Sequence, residues 1–106
     1  MVKRGEIWLA TLDPTVGSEI RKTRPCVIIS PAEMHDYLRT VIVAPMTRGS
    51  RPAPFRIAVT FEGKKRLILL DQVRTLDKSR LAKRLGAVTP NALSATLTTL
   101  QMGFAV

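Results

Sequence analysis

Arg24 is the residue of this sequence best placed to hold a phosphate in a fixed position. It stands between a charged, polar loop over residues 17–23 and an apolar run over residues 26–29, with Pro25 in between. Pro25 restricts its own φ and favours an extended Arg24, and the short β-branched run predicts a buried strand. A guanidinium anchored where a loop enters a strand can act by positioning, because its planar fork is permanently charged and matches a phosphate.

Further polar side chains stand where predicted strands end, or in the loop before Arg24. One follows the apolar segment 43–46, two follow the apolar segment 67–70, and one carboxylate lies in the loop. If these strands are neighbours in the sheet, their ends converge on one groove. The residues concerned are Thr47, Asp71 with Gln72, and Glu19.

This set of side chains suits metal-free cleavage of RNA. The 2′-hydroxyl must lose a proton, the charged phosphorane must be neutralised, and the leaving 5′-oxygen must gain a proton. Arg24 can bind the phosphate, and Thr47 can donate a hydrogen bond to a phosphoryl oxygen. Either Glu19 or Asp71 can accept the proton. Each residue taken singly also has a structural interpretation, since Asp71 can simply pair with Arg24 or Arg74.

Other kinds of site find little support in the sequence. The single histidine, His35, lies in a segment that we interpret as an exposed connection, and one imidazole cannot form a His–His acid/base pair. The single cysteine, Cys26, excludes a disulfide within the chain and favours a reducing compartment. Metal-ligand spacing and phosphate-binding glycine motifs are both missing from the sequence, so we expect neither a metal nor a cofactor.

The composition predicts one globular domain over residues 1–106 that binds a polyanion. Apolar residues make up 45% of the chain, and the formal net charge is +9, with the basic residues spread along the sequence. This distribution predicts a basic face on a folded body, suited to nucleic acid, an anionic membrane or an acidic protein. We see no signal peptide or membrane span, and we expect a cytoplasmic protein.

The apolar pattern predicts a mainly β fold with a C-terminal α-helix. A hairpin-like turn is expected over 62–65. The strand after it is expected to begin with the largely apolar segment 66–70 and to continue through the polar segment 71–75. Such short strands with one packed helix predict a strongly bent antiparallel sheet or a partly open barrel. The expected strands cover residues 6–12, 25–30, 39–46, 55–61 and 66–75.

Three helical segments are predicted. A short helical turn is expected over 32–37, and Asp77 can cap a short helix that runs through Leu85. The clearest helix begins with Thr89 as N-cap and Pro90 at the first helical position. Its apolar stripe, which we expect to face the core, consists of Leu93, Leu97, Leu100 and Phe104.

Several blocks of the sequence, taken together, resemble the MazF/PemK (Kid) family of toxin–antitoxin endoribonucleases. They occur in the family's order and with family-like spacing over nearly the whole chain. The resemblance implies an SH3-like, partly open β-barrel that forms a homodimer. It also implies a metal-independent and ribosome-independent cut in single-stranded RNA at a short motif, leaving a 2′,3′-cyclic phosphate and a 5′-hydroxyl. The blocks are Arg4–Trp8, Leu12–Glu19, Thr23–Pro25 with the strand after it, Pro45–Thr47 and Leu70–Asp77.

The resemblance also implies roles for single residues. The family's usual catalytic pair falls on Arg24 and Thr47, and a loop glutamate that some members need falls on Glu19. Some members use an aspartate that falls on Asp71, but in that subgroup an arginine stands two places earlier. This chain has Leu69 there, which favours the version that relies on Arg24 and Thr47.

The resemblance implies an acidic, partly disordered antitoxin of the MazE/PemI type, laid over the RNA groove. We expect the RNA itself to contact the two basic loops and the segment that begins at Asp71, with unstacked bases read by loop side chains. A histidine that another subgroup carries in the first loop is replaced here by Ser18. The expected RNA-binding residues are Ser18, Arg21, Lys22, Arg48, Arg51, Gln72 and Arg74.

Two other functions compete with RNA cleavage. One is a non-catalytic toxin that inhibits DNA gyrase, as CcdB-type toxins of similar fold do, and the pairing of Arg24 with Thr47 argues against it. The other is a plain RNA-binding barrel, which usually displays aromatic residues that stack on bases. We expect most of the aromatic residues of this chain in its core; they are Trp8, Tyr37, Phe55, Phe61 and Phe104.

Overall fold

The computed structural model describes residues 2–19, 22–49 and 51–104, which form one curled antiparallel sheet and two helices. The strands are β1 (Glu6–Thr11), β2 (Thr23–Ile28), β3 (Thr40–Thr47), β4 (Arg56–Phe61), β5 (Lys64–Leu69), β6 (Arg74–Asp77) and β7 (Leu81–Ala87). The helices are α1 (Ala32–Tyr37) and α2 (Pro90–Phe104). The strand order is β4-β5-β3-β2-β1-β7, and β6 pairs with β3. The prediction of a mainly β fold with a C-terminal helix is confirmed.

Strand β3 joins the two parts of the sheet. One of its edges pairs with β2, where Pro45 lies opposite Cys26. The other edge pairs with β6 over residues 40–43 and with β5 at Met46 and Thr47. Because one edge of β3 serves two partners in succession, the sheet curls into a partly open barrel whose terminal strands are β4 and β7.

Both faces of the central strands β1, β2 and β3 carry buried residues. Successive residues of a strand point to opposite faces, and Val27 accordingly lies in one apolar cluster while Cys26 and Ile28 lie in another. The first cluster also contains Ile7 and Met46, and α2 packs against it. The curl of the sheet therefore encloses a core on each side of β2.

The C-terminal helix begins where the sequence predicts. The hydroxyl of Thr89 accepts the backbone N–H of the residue three positions on, at 3.2 Å, and Leu97 and Leu100 pack against the first apolar cluster. The prediction for Phe104 is wrong, because this residue at the end of the helix is 83% exposed. Within the described residues, neither this helix nor α1 is long and apolar enough to cross a membrane.

The predicted turn and strand around β5 need correction. Strand β5 begins at Lys64, so the turn before it consists of Glu62 and Gly63, which have φ angles of 52° and 73°. The predicted strand over 66–75 is interrupted by a 3-10 turn over Leu70–Gln72, after which β6 pairs with β3. The chain therefore leaves β4 at the polar residues that follow β5, and it resumes pairing further along the same edge of β3.

The helix predicted from Asp77 to Leu85 is wrong. Asp77 accepts the backbone N–H of Ser79 and caps only a single 3-10 turn, and the residues that follow form β7. Strand β7 pairs with β1 along its length. Pairing with the edge of β1 thus outweighs the local capping signal, as tertiary context commonly does.

The interpretation of His35 as an exposed residue is also wrong. Its side chain is 5% exposed, with Nε2 2.7 Å from the hydroxyl of Ser30 and Nδ1 2.9 Å from the carbonyl of Val2. Because a carbonyl only accepts, Nδ1 donates to Val2, and Nε2 shares a hydrogen bond with the Ser30 hydroxyl. The same hydroxyl accepts the Ile42 N–H at 3.0 Å. His35 therefore connects α1 to the N-terminal segment and to β3.

The prediction that most aromatic residues lie in the core is wrong as well. Tyr37, Phe55 and Phe104 are 88%, 48% and 83% exposed. Phe61 is buried in the first apolar cluster, and Trp8 packs against the second. Exposed aromatic side chains are therefore available to stack on bases, so burial of the aromatic residues cannot be used as an argument against an RNA-binding barrel.

Glu6 is a buried carboxylate that connects β1 to β7. Its Oε1 accepts the Lys3 N–H at 2.8 Å and the Trp8 indole N–H at 3.2 Å, and its Oε2 pairs with Nε of Arg84 at 2.7 Å. Burial by itself raises the pKa of Glu6, but the hydrogen bonds and the Arg84 charge together outweigh it and hold that pKa below its ordinary value.

We expect Glu6→Gln to remove a contribution to stability that exists only when Glu6 is charged. The folded pKa is lowered, so this contribution is present above the unfolded value of about 4.3 and disappears as the pH falls through the folded pKa. The variant should lose about 1–2 kcal/mol of unfolding free energy at pH 7, and the loss should shrink in acid. Urea unfolding across this pH range measures it. With the exposed Glu33→Gln as control, a loss that does not vary with pH would contradict the prediction.

Candidate active site

A small cavity lies where the loop between β1 and β2, the end of β3 and the 3-10 turn after β5 meet. Its volume is about 150 Å³, which is smaller than a typical cavity for a whole ligand and suits a single phosphate or part of a nucleotide. Leucine, proline and valine side chains form the apolar part of its wall. Its lining consists of Leu12, Glu19, Pro45, Asp71, Gln72, Val73 and Arg74.

The carboxylate of Glu19 is held by its own loop. Its Oε1 accepts the backbone N–H of Val16, and the Glu19 N–H donates in return to the Val16 carbonyl at 3.2 Å. Gly17, inside this turn, has a φ of 60°, a conformation that favours glycine. At the base of the loop the Leu12 N–H donates to the Lys22 carbonyl at 2.9 Å. The loop thus presents Glu19 to the cavity through backbone contacts.

Asp71 is held by a guanidinium from the neighbouring strand. Nε of Arg56 lies 3.3 Å from Oδ1 and Nη2 lies 3.1 Å from Oδ2, so both carboxylate oxygens accept from one planar fork. Asp71 therefore pairs with Arg56, whereas the structural alternative weighed from the sequence was a pair with Arg24 or Arg74. Arg56 is the cross-strand partner of Leu69, two residues before Asp71.

Arg74 reaches across the cavity wall from β6. Its Nη1 donates to the Leu12 carbonyl at 3.1 Å, and its charge acts on the thiol of Cys26. Burial raises the pKa of Cys26 to about 12, although the Arg74 charge acts in the opposite direction. Cys26 is therefore protonated at neutral pH and has no role as a nucleophile.

Arg24 and Thr47 lie opposite one another if the register of β2 and β3 is continued. The ladder between these strands ends at the pair of Cys26 with Pro45, and two further residues along each strand bring Arg24 to Thr47. Both residues lie on the face of Cys26 and Pro45, because side chains alternate, and Pro45 lines the cavity. Both side chains are partly exposed. The expected neighbours, β2 beside β3 and β3 beside β5, are present.

The remaining residues expected to bind RNA are less closely grouped. Gln72 and Arg74 line the cavity, and Ser18 and Lys22 are exposed on its first loop. Arg48 instead lines a separate, larger hollow of about 480 Å³ against the β4–β5 hairpin, beside Lys65 and Arg66. The Arg51 carbonyl accepts from Arg56. Arg21 lies outside the described residues.

Sequence reasoning did not find Arg56. The alternation of β4 places Arg56 on the polar face of a strand with one wet side, where it looks like one more surface charge. Only the pairing of Arg56 with Leu69 brings its guanidinium to Asp71. No local signal in the sequence connects these two residues, which are 15 positions apart.

Within the described residues, no group of three or more histidine, cysteine, aspartate or glutamate side chains is arranged to hold a metal ion. The cavity combines two carboxylates with an arginine and an amide, at the end of a strand pair that carries an arginine and a threonine. The arginine side chains of this set can bind an anion, and a carboxylate in the same cavity can accept a proton.

Residues 3–104 match the family described as "PemK-like, MazF-like toxin of type II toxin-antitoxin system". The chain belongs to this toxin family. Among related toxins, it is 44% identical over 91 residues to the endoribonuclease MazF of Staphylococcus epidermidis, which covers 80% of this chain and 76% of that protein. It is 38% identical over 102 residues to the endoribonuclease PemK of Escherichia coli, covering 91% of this chain and 77% of that protein.

The fold agrees with solved structures of the same toxin family. MazF of Deinococcus radiodurans superposes with a TM-score of 0.87 at 23% identity, covering 99% of this chain and 97% of that one. A mycobacterial endoribonuclease in complex with its cognate antitoxin superposes with a TM-score of 0.81 at 22% identity, covering 100% and 99%. The family and the barrel fold expected from the sequence are confirmed.

We expect the thiol of this toxin to be almost unreactive in the folded state. A pKa of about 12 for the buried Cys26 leaves very little thiolate at pH 8, so a thiol reagent should label the native protein more than about 100-fold more slowly than the urea-unfolded protein. The exposed variant Ser94→Cys, made in a Cys26→Ala background, provides the reactive control. Native labelling of Cys26 as fast as that of the control would contradict the assigned burial.

Proposed function

We propose that this protein is the toxin of a type II toxin–antitoxin system and a metal-independent endoribonuclease that cleaves single-stranded RNA. The observation that carries the proposal is the convergence of Glu19, Asp71 and Arg74 on one cavity beside the strand ends of Arg24 and Thr47. Membership of the MazF/PemK toxin family supports it. The chain acts as a single toxin domain over residues 1–106.

The reaction is an attack by the 2′-oxygen on the adjacent phosphorus. The 2′-hydroxyl gives its proton to a carboxylate, the new O–P bond closes a 2′,3′-cyclic phosphate, and the P–O5′ bond breaks. The leaving 5′-oxygen takes a proton from solvent water and becomes a hydroxyl, and the carboxylic acid returns its proton to the solvent. Arg24 binds the phosphoryl oxygens and neutralises the charge of the phosphorane, and Thr47 donates a hydrogen bond to one of these oxygens.

Glu19 is the better proton acceptor on geometric grounds. Among the described contacts, Glu19 uses only Oε1, in its bond with the Val16 N–H, and this leaves Oε2 for the 2′-hydroxyl. Both oxygens of Asp71 already accept from Arg56. Asp71 therefore orients the substrate, and Glu19→Gln should reduce the rate more than Asp71→Asn does.

The substrate is bound by basic side chains around the cavity. A net charge of +9 draws RNA to the surface, and the binding weakens as salt is added because counterions are released from the phosphates. The loops between β1 and β2 and between β3 and β4 read the cleavage motif. The residues that contact RNA are Ser18, Arg21, Lys22, Arg48, Arg51, Gln72 and Arg74.

The toxin functions in the cytoplasm as a homodimer that an acidic antitoxin inhibits. Solved relatives of the same fold include MazE–MazF complexes of Deinococcus radiodurans and a mycobacterial endoribonuclease with its cognate antitoxin. The basic surface of this chain suits an acidic antitoxin segment. Phe55, Met102 and Phe104 are exposed near the end of α2, and they supply apolar area for the contact between two copies.

Arg24→Ala should strongly slow RNA cleavage in the presence of EDTA. The purified protein and the variant are each incubated with a long single-stranded RNA, and the products are mapped by their 2′,3′-cyclic phosphate ends. Loss of the phosphate ligand should slow cleavage by about 100-fold or more, and Thr47→Ala should also slow it. The exposed Arg39→Ala, which removes the same charge elsewhere, should cleave normally.

Three results would contradict parts of this proposal. Intact RNA with the wild-type protein would exclude the nuclease and leave a gyrase inhibitor or a plain RNA-binding barrel. Cleavage that EDTA abolishes would exclude the metal-free reaction. Equal cleavage by Arg24→Ala and the wild type would remove Arg24 from the active site.

A further inference from the structure

Arg56 uses all three guanidinium nitrogens to hold the surroundings of the cavity, although it does not line the cavity itself. Nε and Nη2 bind the two oxygens of Asp71 at 3.3 Å and 3.1 Å, and Nη1 donates to the Arg51 carbonyl at 3.1 Å. The side chain of Arg56 is only 23% exposed. One residue thus fixes both a carboxylate of the cavity and the loop between β3 and β4.

The turn that carries Asp71 is attached to the start of β4 at two points. The Leu70 N–H donates to the Phe55 carbonyl at 2.9 Å, and the Asp71 carboxylate binds the Arg56 fork one residue further along each segment. The main-chain contact fixes the turn, but it leaves the Asp71 side chain free to rotate. The fork removes this freedom, because two parallel N–H···O bonds define the plane of the carboxylate.

We propose that Arg56 is a positioning residue for RNA cleavage, acting through the carboxylate of Asp71. This inference rests on the proposed function, and it assigns a role in cleavage to a residue that does not line the cavity. Arg56 holds Asp71 in the orientation in which it meets the substrate. It also holds the backbone at Arg51, in the loop between β3 and β4.

A purely structural ion pair would behave differently. The Asp71 side chain is 38% exposed, and ion pairs at such sites stabilise a fold only slightly. A positioning role predicts a loss of turnover with little loss of stability. It also predicts that the loss depends on Asp71 being present.

The test is a double-mutant cycle on RNA cleavage with Arg56→Gln, Asp71→Asn and the combined variant. Initial rates are measured in EDTA on an oligonucleotide that spans a cut site mapped with the wild-type protein. We expect Arg56→Gln to lower kcat about 10- to 100-fold, as a displaced catalytic group does, with KM changed less than about threefold. In the Asp71→Asn background, the same substitution should lower kcat less than about threefold.

Two further variants distinguish a positioning role of Arg56 from a simple effect of its charge and from an effect on folding. Arg56→Lys keeps the charge but has no planar fork, so it should recover only part of the lost kcat. Arg84→Gln breaks the pair between Arg84 on β7 and Glu6 on β1. It removes the same charge from a strand that contributes no residue to the cavity lining, and its kcat should equal that of the wild type. The melting temperature of Arg56→Gln should fall by less than about 5 °C.

Several results would overturn the inference alone. They are an unchanged kcat in Arg56→Gln, an unchanged kcat in Asp71→Asn, the same fold-loss in both backgrounds, or an Arg84→Gln variant as impaired as Arg56→Gln. If the wild-type protein leaves every RNA intact, the proposed function fails and the inference fails with it. If Arg24→Ala remains active while the cycle gives the expected coupling, the role of Arg24 fails and the inference stands.

Discussion

Strand β3 has to satisfy two partners on one of its edges, and this requirement sets the geometry of the site. β6 takes the first half of that edge and β5 takes the last two residues, and the chain passes from one to the other through the 3-10 turn over Leu70–Gln72. The end of β3, with Thr47, consequently lies between the start of β2 and the end of β5. The cavity forms at this junction, where the strands part and polar side chains replace the apolar ones.

The second constraint is electrostatic. A net charge of +9 attracts a polyanion to the surface, whereas the two carboxylates of the cavity, Glu19 and Asp71, repel an approaching phosphate. Each carboxylate must therefore be held in place by the protein itself. Glu19 is held by a backbone N–H of its own turn and Asp71 by the fork of Arg56.

The sequence blocks shared with the toxin family divide into two kinds. In the first block, Glu6 binds the N-terminal turn, the Trp8 indole and Arg84, and Arg4 donates to the Ile29 carbonyl at 2.8 Å. This block closes the barrel at β1, β2 and β7 and contributes nothing to the cavity lining. The later blocks supply Glu19, Pro45 and the segment from Asp71 to Arg74, which build the cavity.

The sequence by itself determined the strands up to β4, the C-terminal helix, the loop-to-strand junction at Arg24 and the toxin family, because these depend on local patterns and on ordered motifs. It failed for the segment 77–85, for His35 and for Arg56. In each case the deciding partner is distant in the chain: β1 for the segment that becomes β7, Val2 for His35 and Asp71 for Arg56. Only the tertiary structure decided these features, since a residue's conformation follows from pairing and burial wherever these outweigh local preference.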